Sequence, residues 1–262
     1  TEYVIVKQAA QLELGKKPGF NTSQIYYGDY FPEAYGDAYL MGQQDGGSFA
    51  QVNGINYRIL VGDGGSMFVN KQDPKKAFGS TQRGRLYHTE DALQPSYGDY
   101  QQVGSFYNNH PNWITQFAGN NADGNQIYMA NNTSIQRTLN HGTSFSSITT
   151  HSLKGTKVAV ESNVDPVVYA MGYTPNYDTD IIRIDNAKTA PTPSTKLNIL
   201  NYNTDQLPEQ IRINPNDKNT IYVTSSNGNA YEVSGTNTDN WTKKSIKGDI
   251  SDVVFNLVIS VE

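Results

Sequence analysis

Two aspartates have the residue type and setting for carboxylate chemistry. Asp45 lies in Gly42-Gln43-Gln44-Asp45-Gly46-Gly47, and Asp63 lies in Gly62-Asp63-Gly64-Gly65-Ser66. Two carboxylates brought to one site can divide the work of glycoside hydrolysis, one as acid and one as base, when they stand about 6.5–9.5 Å apart for inversion. The same aspartates beside glycines can instead cap tight turns through side-chain-to-backbone hydrogen bonds. The sequence leaves both roles open.

A second group is aromatic. Tyr97, Tyr100, Tyr107 and Trp113 fall in the irregular run SYGDYQQVGSFYNNHPNW, read as an insertion between repeats. Exposed, they would stack on sugar faces; buried, they would pack between sheets. The four histidines, His88, His110, His141 and His151, have no partner at metal-ligand spacing and are expected in surface turns. Asn121-Ala-Asp123-Gly-Asn125 lacks the remaining carboxylates of a calcium loop and is read as an inter-strand turn. No metal site and no cofactor are predicted.

These residues must be positioned by strands. Among 262 residues, 36% are apolar, 17% are charged and 18 are Tyr, a mixture suited to many short half-buried strands. The net charge of −5 and the lack of a basic patch argue against a nucleic-acid partner. The absence of cysteine excludes disulfides and thiolate chemistry. No apolar run approaches the ~18 residues of a membrane-spanning helix. The chain opens on Thr1 rather than Met, which is read as a processed or fragmentary start.

Taken in order, the chain predicts a strand at 3–6, a short helix at 9–14, and strands at 25–27 and 38–41. Tyr57–Val61 reads as an inner strand buried on both faces, followed by strands at 66–69, 77–78 and 86–87 that complete one four-stranded sheet. Two marks then recur. An apolar–aromatic pair follows a turn at Ala77–Phe78, Ile127–Tyr128, Val168–Tyr169 and Ile221–Tyr222, and a second alignment falls on Thr89, Thr138, Ile184 and Ser234. Both sets share a period near 48 residues, as expected of a β-propeller with four-stranded antiparallel blades. The Pro/Thr-rich stretch 189–196 is read as a surface loop, and residues 1–262 as one domain or propeller segment. About five units are visible. The final stretch DISDVVFNLVISVE reads as the opening strand of another blade, consistent with a piece of a larger, seven-bladed ring.

Thr138-Leu139-Asn140-His141-Gly142-Thr143-Ser144-Phe145 resembles the Asp-box (Ser-x-Asp-x-Gly-x-Thr-Trp) of sialidase-like propellers, with Asn140 for the aspartate and Phe145 for the tryptophan. Ser234 and Trp241 keep the two ends of a second copy, with Thr236 and Thr238 in place of its Asp and Gly, and Thr89-x-Asp91 keeps only the start of a third. Such a turn is structural: a side chain bonds backbone amides, glycine supplies a positive φ, and the aromatic packs between sheets. Together with GQQDGG, VGDGGSMFV and DPKKAFGSTQRGRLYHTED, roughly residues 20–258 resemble secreted sialidase-like and sortilin-like propellers and the related xyloglucan-hydrolase propellers.

In the hydrolase group a Gly-Asp-x-Gly-Gly segment carries one catalytic carboxylate, and Asp63 is read on that pattern, with Ser66 where its last glycine would stand. The second carboxylate has no counterpart here, and Asp45 stands in for it only by position. The resemblance implies no sialidase activity, because Arg58, Arg83, Arg85, Arg137, Arg183 and Arg212 form no recognisable triad. The leading expectation is a secreted or cell-surface recognition module for glycan or protein, alone or beside other domains of a longer polypeptide. A glycoside hydrolase using Asp63 and Asp45, and an assembly scaffold, are the alternatives.

Overall fold

A computed structural model describes residues 25–104, 106–200, 207–235 and 241–246. The strand and helix expected within residues 1–24, and the closing strand after 246, lie outside this range. Strands β1 to β4 (Ile25–Tyr30, Tyr39–Gln43, Gly47–Val52, Ile55–Leu60) pair in chain order as one antiparallel sheet. Sheet two holds β5 to β8 (Gly64–Val69, Ala77–Thr81, Leu86–Thr89, Gln101–Val103). Sheet three holds β9 to β12 (Phe117–Gly119, Ile127–Ala130, Ser134–Thr138, Ser146–Thr150). Sheet four holds β13 to β16 (Lys154–Val160, Val168–Tyr173, Thr179–Asp185, Thr192–Leu200), and sheet five β17 to β20 (Pro208–Asn214, Asp217–Ser225, Ala230–Ser234, Thr242–Ser245). Each sheet is a meander, and among the described residues the helical content is a single 3-10 turn at Glu33–Tyr35.

The core is partitioned between neighbouring sheets. One cluster joins Leu40, Ala50 and Ile59 of sheet one to Met67, Val69 and Ala77 of sheet two. A second joins Phe68, Phe78 and Leu86 to Phe117, Ile127 and Met129. A third joins Tyr128 and Ile135 to Val168, Ile182 and Ile184, and a fourth joins Tyr169, Met171 and Ile181 to Ile211, Ile221 and Val223. Successive side chains of a strand point to opposite faces. Along β10, Ile127 and Met129 therefore face sheet two while Tyr128 and Ala130 face sheet four. This explains the recurring apolar–aromatic pairs at the start of β6, β10 and β14, where both faces of the strand are buried.

The two repeat marks are cross-strand partners. Ala77 pairs Thr89, Ile127 pairs Thr138, Val168 pairs Ile184, and Thr220, beside Ile221, pairs Ser234. They share a period because they sit at the same end of one hairpin, repeated.

Three expectations about elements are corrected. The 57–61 run belongs to β4, the outermost strand of sheet one, with Ile55 and Arg58 exposed; its apolar content is concentrated in the buried Ile59 and Leu60. The sheet boundary therefore falls at Gly62–Asp63, one strand later than expected. The fourth strand of sheet two is β8, inside what was read as an irregular insertion. The 189–196 stretch enters β16, where Pro193 sits opposite Ile184; an outermost strand tolerates proline because its missing N–H faces away from the ladder.

Candidate functional site

Because strands alternate in direction, the β2–β3, β4–β5, β6–β7 and β8–β9 connections all emerge at one end of the sheets. Asp45, Asp63, Arg83, Arg85, Tyr107 and Trp113 lie in these four connections and so share one face. Tyr97, in the β7–β8 connection, lies at the opposite end. Tyr100 is buried against the core between sheets one and two and offers no ligand surface.

The glycines beside Asp63 permit close contact of backbones. A Cβ on Gly64 would stand 2.3 Å from the Gly47 carbonyl oxygen and 2.7 Å from the Gly42 Cα, so only glycine lets β5 approach β2 and β3 this closely. Asp45 takes a left-handed φ of 56° at the tip of the β2–β3 turn, a conformation Asp tolerates better than most residues.

The Asp63 carboxylate does not cap its own turn. Oδ1 accepts the Asp45 backbone N–H at 2.9 Å, and Oδ2 accepts the Trp113 indole N–H at 3.1 Å. The Asp63 N–H in turn donates to Gln82 Oε1 at 3.0 Å. Asp63 thus ties its own connection to the three others, and the two predicted carboxylate positions meet through one backbone amide. Both also act on Tyr26, whose hydroxyl is raised above its ordinary range by burial first and then by the charges of Asp63 and Asp45.

Two arginines complete the platform. The Arg83 guanidinium lies 4.9 Å from the Trp113 ring centroid and that of Arg85 4.8 Å from Tyr107, a pair of cation–π contacts. Hydrogen bonding by Arg83, aided by the charges of Arg83 and Arg85, pulls the Tyr107 hydroxyl below its usual range. The backbone is fixed as well: Arg83 N–H donates to the Trp113 carbonyl at 2.8 Å, and Asn108 N–H to the Arg83 carbonyl at 2.8 Å. Trp113 remains 55% exposed and Tyr107 45% exposed, large aromatic surface held in place rather than hidden.

Beneath the platform, Gln116 donates to the Tyr27 hydroxyl. The Tyr27 hydroxyl is raised by burial and feels Arg212 and Glu209 of β17, while Lys157 of β13 is lowered by burial and feels Glu209. The first strands of sheets one, four and five thus gather a tyrosine, two cations and a carboxylate, joined by the Gln116 amide from just before β9.

His110 anchors the connection that carries Trp113. Its Nδ1 lies 3.1 Å from the Asn112 carbonyl and 3.2 Å from the Asn112 N–H, and its Nε2 lies 3.2 Å from both the Gln116 carbonyl and N–H. Burial holds this imidazole neutral, down to about 4. The expectation of surface histidines is corrected here and at His141, which is buried. His88 lies on β7 and His141 in the β11–β12 turn. With Glu90, they place one ligand-type atom each within 4.8 Å of one another. The sequence signal was a His-x-Glu at a strand end plus a histidine about one repeat later. It was missed because only stacking of adjacent sheets turns that offset into proximity.

The 121–125 stretch is the β9–β10 turn, as expected. Asp123 accepts from Gln126 at 2.7 Å and from Lys188 Nζ at 3.1 Å.

The Thr138–Phe145 turn is built by its own side chains. Asn140 Oδ1 accepts the Ser144 N–H at 3.0 Å, and Thr138 Oγ1 accepts the Gly142 N–H at 3.0 Å, with Gly142 at φ 87°. Phe145 meets Phe106 edge-on at 4.9 Å, bridging sheets three and two. Ser234 shares a hydroxyl hydrogen bond with Thr220 at 2.9 Å, and Trp241 stands edge-on to Tyr169 at 6.1 Å across sheets five and four.

Among the described residues, no helix is long and apolar enough to cross a membrane. No protein-family model and no curated protein matches the sequence. Solved structures do match by shape. An ancestral GH74 enzyme superposes with a TM-score of 0.60 at 11% identity, over 85% of this chain and 32% of that one. The GH74 xyloglucanase from Xanthomonas campestris gives 0.56 at 11% identity, over 84% and 38%. The WD40 domain of Toxoplasma gondii coronin gives 0.57 at 8% identity, over 81% and 56%. The chain therefore spans about a third of the length of the GH74 enzymes it resembles. Identities this low speak to fold alone, and with five meander sheets packed face to face they make the chain a β-propeller.

Proposed function

We propose that this propeller is a secreted or cell-surface recognition module that binds a carbohydrate chain on the Trp113–Tyr107 platform without cleaving it. One observation carries the reading: Trp113 is half exposed yet fixed, its N–H on Asp63 and its ring under Arg83. A pre-ordered aromatic loses little freedom on binding, so its contact area is converted to affinity. The Thr138–Phe145 turn supports a sialidase-like origin, since its hydrogen bonds and its inter-sheet aromatic match what an Asp-box does. Both Asp63 oxygens are already hydrogen-bonded, which suits a positioning role better than acid–base exchange with substrate.

The test is a screen of neutral and acidic oligosaccharides by array and calorimetry. Trp113→Ala is expected to weaken the best ligand at least about tenfold, about 1.4 kcal/mol, with no reducing ends released. Hydrolysis lost in Asp63→Asn would instead establish the glycosidase reading. That second reading is favoured by the convergence of Asp45 and Asp63 on one face and by the fold of the GH74 neighbours.

A further inference from the structure

A second group of chemistry-bearing side chains lies at the end of the propeller opposite the platform. His88 comes from β7, Glu90 from the residue just past it, and His141 from the β11–β12 turn of the next sheet. One nitrogen or carboxylate oxygen from each lies within 4.8 Å of the others. His88 and Glu90 line a cleft of about 320 Å³ together with Asp91, Asp99 and Gln101, and His141 stands beside Glu90. Three carboxylates beside two imidazoles make this cleft attractive to a cation of intermediate softness.

We propose that His88, Glu90 and His141 form a binding site for a divalent transition metal of the Zn²⁺ class, joining the second and third sheets. The tautomers and spacings carry the argument. His88 Nδ1 lies 2.6 Å from the His141 carbonyl oxygen, which can only accept, so Nδ1 holds the hydrogen and Nε2 presents its lone pair. A backbone carbonyl orienting one ring nitrogen while the other faces the metal is the usual second-shell arrangement. His141 Nε2 lies 3.5 Å from Glu90 Oε1. Two donors each about 2.0–2.1 Å from a tetrahedral Zn²⁺ stand about 3.3 Å apart, so this pair needs almost no adjustment.

The His141 ring can supply that nitrogen. Nε2 is 3.1 Å from the Thr89 carbonyl, Nδ1 is buried without a hydrogen bond, and the ring stands edge-on to Phe78 with centroids 4.5 Å apart. Moving the ring hydrogen from Nε2 to Nδ1 breaks the Thr89 contact and frees the Nε2 lone pair for an ion. The Glu90 side chain is 62% exposed, with Lys76 Nζ 3.5 Å from Oε2, so it can close on an ion. Three protein donors and an open cleft leave a fourth position to water.

The probe is ZnCl₂ titrated by calorimetry into the full chain after dialysis against chelator, with thermal unfolding in parallel. Wild type is expected to bind one ion per chain and to unfold at a higher temperature, reversed by chelator. His88→Gln and Glu90→Gln, neither at a fully buried position, are each expected to weaken binding at least about 100-fold, the upper end of what losing even an outer-shell partner costs. Co²⁺ is expected to give the visible bands of a tetrahedral site in wild type and not in His88→Gln. Failure of wild type to bind stoichiometrically, or equal binding by wild type and both variants, would overturn the proposal.

Discussion

Both oxygens of Asp63 are committed, one to the Asp45 amide and one to the Trp113 indole. The sequence made Asp63 conspicuous but could not say what it holds, because Trp113 lies fifty positions away in a connection with no repeat pattern. Replacing Asp63 with Ala leaves the indole N–H to solvent and unties the β2–β3 turn. Global stability is expected to drop by only about 1–2 kcal/mol, since the groups are partly wet. Trp113 fluorescence anisotropy falls and carbohydrate affinity drops at least about tenfold, whereas Asp63→Asn keeps an acceptor and falls between. Unchanged anisotropy in Asp63→Ala would remove the positioning role. His110 gives a pH dependence of defined sign. Its folded pKa, about 4, lies below the 6.5 of the free side chain, so the unfolded chain takes up the proton first. The contribution is complete above pH ~6.5 and is lost as pH falls towards 4, at most about 3 kcal/mol. Urea unfolding of wild type and His110→Gln at pH 7 and pH 4.5 isolates this from His141 and His151, which burial depresses too. Equal pH slopes in the two proteins would exclude it.

At the scale of elements, the hairpin formed by the second and third strands is the legible unit. Phe78, Tyr128 and Tyr169 announce it because each is completely buried at the start of a second strand, where repeated geometry demands a repeated residue type. The outer strands were misread for the complementary reason. β4 exposes much of its first half, β8 most of its length and β16 its start, so Arg58, Gln101 and Pro193 are tolerated there and break the pattern. Connections are less legible still, since nothing local fixes which of them share an end. Arg183 illustrates what is hidden. It reads as one more repeat-strand arginine, but it is buried, bonded to Asp185 at 2.8 Å, to the Tyr169 hydroxyl at 2.9 Å and to Asn219 of sheet five at 2.7 Å. Arg183→Ala strands Asp185 and opens the contact between sheets four and five. The expected loss is about 3–5 kcal/mol in chemical unfolding, with platform affinity unchanged in the remaining folded protein. A loss below about 1 kcal/mol would mean that solvent replaces the arginine.

At the scale of the whole molecule, one inter-sheet core touches residues at both ends. Phe78 pairs His88 across β6 and β7, touches the His141 ring, and packs with Phe106 and Phe117, which flank the connection carrying Tyr107 and Trp113. The core between sheets four and five touches neither end group. Two mild substitutions separate these cases. Phe78→Leu changes shape in the second–third sheet core at about 1–1.5 kcal/mol, and Ile181→Val removes one methylene from the fourth–fifth sheet core at about 0.5–1.5 kcal/mol. Similar stability losses should have dissimilar consequences: Phe78→Leu weakens both carbohydrate binding at the platform and Zn²⁺ binding at the opposite end, while Ile181→Val leaves both intact. The comparison is made by calorimetry on both ligands, at a temperature where both variants are fully folded. Equal effects of the two variants would mean that the ends respond only to global stability. An effect of Phe78→Leu confined to one end would mean that this core serves that end alone.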